Sequence, residues 1–444
     1  MKHFFGTDGI RGVAGEPPLD RATVYAVGLA LGDDLGAGAK VVMGEDTRES
    51  SGWIAATLAA GLRARGVEVD HAGVVPTPAV AYLATRGYAA GAMISASHNP
   101  FRDNGIKIFG GNGYKLPDKD EAVIERALLA YQAAPPELPA ETPPLRSDRR
   151  LREAYARHLT QRFAATSFKE LRIVADCAHG AASAVAPAVF AELGLRTEVM
   201  GARPDGRNIN AGVGALHPET LAERVRATGA DAGLALDGDA DRAILVDAEG
   251  TVVNGDSVLL MASRELRAQG RLKPAAVVGT VMTNFGLERA LQGEGVALLR
   301  TAVGDKYVLE KMLETGAALG GEPSGHVIFS AEATTGDGIL TALHCFDIMA
   351  RSGRPLRELC DGWNELPQTI VNVKVARKAP LETLPETQAA IGRAEKELRD
   401  AGRVLVRYSG TESLARVMVE AESAAAVERH AQSIADALRR DLGD

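Results

Sequence analysis

The sequence predicts an α/β protein of four domains, three related α/β units followed by a small C-terminal α+β domain, with a cleft formed by the surfaces between domains. Three observations carry this expectation. One local pattern occurs three times, a proline-rich linker follows its first copy, and the order of elements changes near residue 368. At 444 residues the chain is also too long for one ordinary hydrophobic core.

The pattern is an apolar β-rich run, a small or polar loop, an amphipathic helix, a glycine turn and a second apolar run. In the first copy VVMGED (41 to 46) leads into TRESSGWIAATLAAGLRARG, where Ile54, Leu58, Gly61 and Leu62 share one helical face, and then into VEVDHAGVV. The second copy begins at RIVADCAHG with the run 172 to 176, passes through a helix containing Ala188 and Phe190, turns at Gly194 and resumes as LRTEVM. The third spans Ala275 to Thr301. Strands alternating with crossover helices imply parallel sheets with helices on both faces.

The linker AAPPELPAETPPL (133 to 145) interrupts any regular element, because proline fixes φ and lacks an amide donor. Weaker boundaries lie near TVVNGD (251 to 256) and Pro367. The expected domains are therefore 1–150, 151–252, 253–366 and 367–444. In the last, VLVRYSG and LARVMVEAES read as strands and AAAVERHAQSIADALRR as a closing helix.

Apolar residues make up 46% of the chain and charged residues 24%, the profile of a soluble globular protein. A net charge of −8 argues against bulk nucleic-acid binding, so an anionic substrate needs a local cluster of Arg and Lys. Cys177, Cys345 and Cys360 show no CxxC spacing and read as reduced core residues. The opening MKHFFGTDGIRG lacks a long apolar stretch and no uninterrupted apolar run is long enough for a membrane span, so a cytoplasmic location without a membrane partner is expected.

Four motifs carry chemistry. In GAMISASHNP (91 to 100) an apolar strand ends in small polar residues, which places Ser97 on a tight exposed loop beside His98; a turn or helix-cap serine fits the same residues. In LALDGDADRAILVD (234 to 247) Asp237, Asp239 and Asp241 fall on a loop between two apolar strands. Carboxylates so close repel and raise one another's pKa unless a hard divalent cation such as magnesium compensates them; a solvated acidic turn is the alternative. An EF-hand fails, because Arg242 holds its glycine position and Ala248 its final glutamate position. In GGEPSGHVIF (320 to 329) Glu322, Ser324 and His326 can bind sugar hydroxyls or transfer protons, or belong to an ordinary turn. In RVLVRYSGTESLARVMVE (403 to 420) Arg407, Ser409, Gly410 and Thr411 lie between two strands, where amides, hydroxyls and a guanidinium make a phosphate nest or a plain β-turn. The chain has no GxxxxGK[ST] loop, which argues against P-loop nucleotide hydrolysis.

Taken in order, SASHNP, DGDADR, GEPSGH and RYSGTE resemble the four active-site loops of the α-D-phosphohexomutase family, over essentially the whole chain. The opening FGTDGIRG looks most like the amino-sugar branch of that family. The resemblance implies four domains with mixed sheets around a central cleft. It implies that Ser97 carries the phosphoryl group and that Asp237, Asp239 and Asp241 bind Mg2+, with a phosphate oxygen on Ser97 completing the coordination. It assigns Glu322, Ser324 and His326 to sugar reading, and Arg407, Ser409, Gly410, Thr411 and Arg416 to the non-reacting phosphate. Arg11, His98, Lys107 and Arg242 match basic residues near the reacting phosphoryl group, and His326 counts among the catalytic candidates. Ala240, Tyr408 and Ser413 depart from residues frequent in the family (glycine, proline or threonine, and proline), which touches loop rigidity only.

The implied activity interconverts glucosamine 6-phosphate and glucosamine 1-phosphate through glucosamine 1,6-bisphosphate, as intermediate and activator, feeding UDP-N-acetylglucosamine and cell-wall precursor synthesis. The expected partner is a hexosamine phosphate, and the expected state a monomer or homodimer. A glucose or mannose phosphomutase uses the same loops; a phosphatase or a non-catalytic sugar-phosphate-binding protein is the more distant alternative.

Overall fold

A computed structural model of the chain describes residues 4–6, 8–409 and 413–443. The chain divides into two compact units, one made of Met1–Met282 with Val296–Asp361 and the other of Thr283–Gly295 with Gly362–Asp444.

The first unit holds three sheets. The first is built from β1 (Phe5–Gly6), β2 (Gly9–Val13), β3 (Lys40–Glu45), β4 (Glu68–Val74), β5 (Ala90–Ile94) and β6 (Asp103–Gly110), in the order β1-β2-β6-β5-β3-β4. Its helices are α1 (Arg21–Leu35), α2 (Ser51–Ala64), α3 (Thr77–Ala84) and α4 (Asp118–Ala133). The second sheet follows α5 (Arg149–Arg162) and contains β7 (Arg172–Asp176), β8 (Arg196–Met200), β9 (Ala232–Leu236), β10 (Ala243–Asp247) and β11 (Val252–Val253), with α6 (Val185–Glu192) and α7 (Glu219–Thr228). The third follows α8 (Gly255–Ala268) and contains β12 (Ala276–Thr280), β13 (Ala297–Thr301), β14 (Leu319–Gly321) and β15 (Val327–Phe329).

One topology is repeated in all three. A central strand (β3, β7 or β12) pairs in parallel on both sides, and the strand on one side then pairs antiparallel with its successor in the chain. The sheets are thus mixed, as the resemblance implies: the alternation of strands and crossover helices accounts for the parallel pairs, whereas β6, β10 and β15 each return directly beside the preceding strand instead of crossing over a helix. Each of the first three motifs occupies one of these reversals: residues 95–102 between β5 and β6, 237–242 between β9 and β10, and 322–326 between β14 and β15. β5, β9 and β10 are buried along their whole length, which their apolar composition anticipates everywhere but at Asp247, the last residue of β10.

Local signals explain the boundaries. Asp20 caps α1, its Oδ1 accepting from the amides of Ala22 (3.0 Å) and Thr23 (3.1 Å), and Asp337 caps α11 (Gly338–Ser352) through the amide of Leu340 (2.9 Å). Between α4 and α5 the proline-rich stretch 134–146 forms no helix and no strand and is largely exposed. α10 (Asp305–Thr315) lies between β13 and β14, and α12 (Leu356–Leu359) ends the unit. Cys177 and Cys345 are buried and unpaired as expected; Cys360 is unpaired but only half-buried.

The second unit pairs β16 (Gln368–Lys374), β17 (Gly402–Tyr408) and β18 (Leu414–Ala421) in an antiparallel sheet of order β16-β18-β17. α13 (Pro385–Leu398) and α14 (Ala424–Leu442) cover it, and Val373, Ala415, Val417, Val419, Ile434 and Leu438 lie in its core. α9 (Phe285–Gly293) also belongs to this unit, although it connects β12 to β13 in the sequence. The cause is close backbone packing: a Cβ on Gly286 would lie 2.1 Å from the carbonyl oxygen of Asn364, and Asn284 exchanges hydrogen bonds with the backbone of Leu366 at 3.0 and 3.1 Å. No helix among the described residues is long and apolar enough to cross a membrane.

The first core depends on two glycines where α1 crosses α2. A Cβ on Gly28 would stand 2.3 Å from the carbonyl oxygen of Leu58, and one on Gly61 would stand 2.4 Å from that of Tyr25. Alanine in place of helical glycine ordinarily gains up to ~1 kcal/mol. Here the obstacle is backbone on a neighbouring helix, so overpacking at roughly 1–3 kcal/mol should decide the sign. Gly61→Ala is expected to lower the thermal midpoint; an unchanged or raised midpoint would contradict this packing.

Candidate active site

Ser97 sits at the first reversal with φ 53°, a left-handed conformation that is costly for a residue with a Cβ. It is 1% exposed, so the expected exposed loop is corrected: the serine is buried because the aspartate loop packs over it. Its Oγ donates to Asp237 Oδ2 at 2.6 Å and lies 3.3 Å from His98 Nδ1. Its amide is held by Ser95 Oγ at 3.0 Å. A Cβ on Gly238 would reach the Ser97 carbonyl at 2.4 Å, so glycine is what allows the two loops to approach.

The three aspartates are buried, which removes the solvated-turn alternative. They offer carboxylate oxygens all within 4.8 Å of one another. Burial, then Asp241 and Asp239, pushes Asp237 up to about 8. Asp241 goes the other way: burial opposes its charge, but Lys107, His326 and Arg242 hold it well below the usual carboxylate range. Lys107, 1% exposed on β6, donates to Asp239 Oδ2 at 2.8 Å and to Asp241 Oδ2 at 3.3 Å. Asp239 also accepts from the Thr77 hydroxyl. Even so, Asp239 Oδ1 and Asp241 Oδ1 are buried with no hydrogen-bond partner among the described residues. Three converging buried carboxylates, two of them with an oxygen that accepts no hydrogen bond among the described residues, are the donor set of a hard divalent cation, so these residues fit magnesium. Ala240 in this loop takes φ 56°, the conformation glycine would adopt without strain.

The basic candidates surround this pair of loops. Arg242 lies 3.8 Å from Asp241, its amide donates to Asp237 Oδ1 at 3.2 Å, and its charge is reinforced against burial by Asp241 and Asp237. Arg11 pairs with Asp8 on the same edge. Burial, then Arg242 and Arg11, lowers His98 to about 4, so it is a neutral imidazole near pH 7.

His326 lies at the third reversal, with Nδ1 3.7 Å from Asp241 and Nε2 3.7 Å from Asp305. Burial works against its charge while Asp241, Asp305 and Glu322 raise its pKa above the ordinary value. Gly336 N–H donates to Nε2 at 3.0 Å and fixes the ring. Glu322 accepts from the Gly304 amide at 3.1 Å, whereas Ser324 Oγ is buried without a partner among the described residues. Lys115 joins Asp8 to Asp305. Asp241, Lys107, Asp8, Lys115 and Asp305 thereby form a chain of alternating charge, and the His326 ring lies between its two ends at the third reversal.

Of the phosphate-nest residues, Gly410 and Thr411 lie outside the described residues. In the second unit Arg407 and Arg416 are directly opposed across β17 and β18. Burial, then Arg416, lowers the Arg407 pKa, the electrostatic state an anion would relieve. Ser409 donates its amide to the Leu414 carbonyl at 2.8 Å, and Lys378 Nζ donates to the Ser409 carbonyl at 2.6 Å.

Sequence reasoning missed several residues. Asp46 and Arg48 form a fully buried pair at 2.8 Å, and Arg48 Nη2 donates to the carbonyls of Ser97 and Asn99, each at 2.9 Å. Their signal was an Asp-x-Arg step directly after an apolar strand. Asn210, Lys115, Asp305 and Lys378 carried no comparable signal, because their partners are distant in sequence.

Profiles of the phosphoglucomutase/phosphomannomutase family match in chain order: alpha/beta/alpha domain I over residues 2–134, domain II over 153–250, domain III over 254–366 and the C-terminal domain over 370–437. A phosphoglucosamine mutase of Koribacter versatilis is 52% identical, covering 100% of this chain and 98% of its own, and one of Solibacter usitatus is 49% identical with 100% of both covered. Among solved structures, a phosphoglucomutase/phosphomannomutase family protein of Burkholderia thailandensis matches with TM-score 0.78 and 26% identity over 98% of this chain and 97% of its own. The N-acetylphosphoglucosamine mutase of Aspergillus fumigatus, solved with GlcNAc-6P and magnesium, shares the fold at TM-score 0.69 and 19% identity over 99% and 96%. On these matches and the repeated topology that bears its loops, the chain belongs to the phosphoglucomutase/phosphomannomutase family, the α-D-phosphohexomutases.

Proposed function

We propose that the chain interconverts glucosamine 6-phosphate and glucosamine 1-phosphate by way of a phosphate on Ser97 and a glucosamine 1,6-bisphosphate intermediate. The carrying observation is Ser97 Oγ, 2.6 Å from Asp237 Oδ2, beside a buried, cation-ready carboxylate cluster. Relatives named phosphoglucosamine mutase, near 50% identical over the full chain, support the amino-sugar substrate. We take the domains as 1–150, 151–252, 253–366 and 367–444, a division that the family profiles support, and the location as cytoplasmic.

Phosphoryl transfer asks a protein mainly for alignment and for neutralisation of spreading negative charge. Asp237, Asp239 and Asp241 would hold Mg2+, which supplies positive charge at the phosphoryl oxygens when bound. Lys107, Arg242 and Arg11 add fixed cations around the same position. The P–O bond to Ser97 Oγ breaks as the bond to sugar O1 forms, and the hydroxyl proton of O1 replaces phosphorus on Oγ. His98 Nδ1, 3.3 Å from Oγ and neutral near pH 7, is placed to relay that proton. The reverse transfer returns the other phosphate of the bisphosphate to Ser97. Glu322, Ser324 and His326 orient the sugar hydroxyls, and Arg407, Ser409, Gly410, Thr411 and Arg416 hold the phosphate that does not react.

Metal binding is readable without turnover. Mg2+ should raise the thermal midpoint of the wild-type protein, and Asp239→Asn should abolish that rise. A wild-type midpoint identical in Mg2+ and in excess chelator contradicts the cation site.

Intact-mass and peptide mapping should find phosphate on Ser97, and Ser97→Ala should lose mutase activity. With glucosamine, glucose and mannose 6-phosphates compared under one Mg2+ and bisphosphate condition, glucosamine 6-phosphate should give the highest kcat/KM by roughly ten- to a hundredfold, the usual size of one unmatched polar group. A better rate with glucose or mannose 6-phosphate would remove the amino-sugar assignment and leave the phosphohexomutase chemistry standing.

A further inference from the structure

The backbone of the Ser97 loop is gripped from two domains. Arg48, next to β3, reaches the Ser97 and Asn99 carbonyls from inside the first α/β domain. Asn210, on a loop between β8 and α7, reaches the same two carbonyls from the second, its Nδ2 donating to Ser97 O at 2.9 Å and to Asn99 O at 3.1 Å. Facing two carbonyl oxygens, the amide has only one satisfactory orientation. Asn210 is itself held at φ 58°, which asparagine tolerates well, with its N–H bonded to the Ala178 carbonyl at 2.9 Å. Asp176 ties down that loop through the amides of Ala178 (2.9 Å) and Gly214 (2.8 Å). A Cβ on Gly238 would stand 2.4 Å from Ser97 O and 2.8 Å from Asn210 Nδ2, so the aspartate loop, Asn210 and the serine carbonyl meet at one point.

We infer that Asn210 is a positioning residue for phosphoryl transfer: it fixes the Ser97 loop of one domain against the Asp237 loop of the next. Arg48 alone anchors Ser97 only to its own domain. Side-chain contacts from Ser97, Lys107 and Thr77 draw the two loops together, and Asn210 adds to them a hold on the backbone that carries the serine; it touches no reacting atom. This rests on the phosphoserine reading above. Misplacement by about 1 Å at a reacting centre can cost on the order of a hundredfold in rate.

Two variants test it. Asn210→Asp keeps size and backbone preference but loses both donors and turns a carboxylate toward two carbonyl oxygens. Asn210→Gly loses the donors at a φ that glycine adopts freely, so backbone strain is not a confounder. Both should retain the Mg2+-dependent rise in thermal midpoint, keep KM for glucosamine 6-phosphate within about twofold, and lower kcat by roughly 10- to 100-fold. Asn210→Gly with wild-type kcat, or with KM raised at unchanged kcat, would overturn the inference while leaving Ser97 as the phosphoryl carrier. Absence of phosphate from wild-type Ser97 would instead bring down the phosphoserine reading, and the inference with it.

Discussion

Buried negative charge on the loop 237–242 is the constraint around which the first unit is organised. Three carboxylates taken out of water with oxygens within 4.8 Å of one another cost several kcal/mol per ion unless they are compensated. The described residues compensate them in part. Lys107 answers Asp239 and Asp241, Arg242 leans on Asp241, and Asp237 is left raised to about 8. Lys107 lies on β6, the strand that leaves the Ser97 loop, so the same ion pairs that neutralise the aspartates also draw the serine against them. Stability and chemistry therefore depend on the same set of contacts.

The repeated topology explains how one fold places several chemical functions around one centre. Each α/β sheet ends its parallel run in an antiparallel reversal, and each reversal projects a short loop. The first loop contributes a hydroxyl, the second three carboxylates, and the third an imidazole with a glutamate. A chain of ion pairs from Asp241 through Lys107, Asp8 and Lys115 to Asp305, with the His326 ring between its ends, joins the second loop to the third. Such a chain is sensitive to its interior members, because removing one takes a partner from the buried charge on either side.

Much of this was legible in the sequence, for identifiable reasons. The runs 41 to 46 and 172 to 176 match β3 and β7 closely because apolar runs bounded by glycine turns admit few other readings. Ile54, Leu58, Gly61 and Leu62 are all buried on α2, as their spacing requires. The aspartate triplet was legible because adjacent carboxylates need a cause. What escaped depends on long-range closure. The burial of Ser97 follows from Gly238, 141 positions away, and the Asn210 contact crosses 113. The pattern from Ala275 to Thr301 makes α9 an ordinary crossover helix, and nothing local shows that the bare backbone at Gly286 packs against Asn364.

The fate of the Ser97 phosphate separates a mutase from its alternatives most directly. Protein carrying 32P on Ser97, mixed in a single turnover with unlabelled glucosamine 1-phosphate and Mg2+, should pass the label to glucosamine 1,6-bisphosphate and then to glucosamine 6-phosphate, leaving little as inorganic phosphate. Label that stays on the protein while product accumulates, or that is released only as inorganic phosphate, would contradict this transfer.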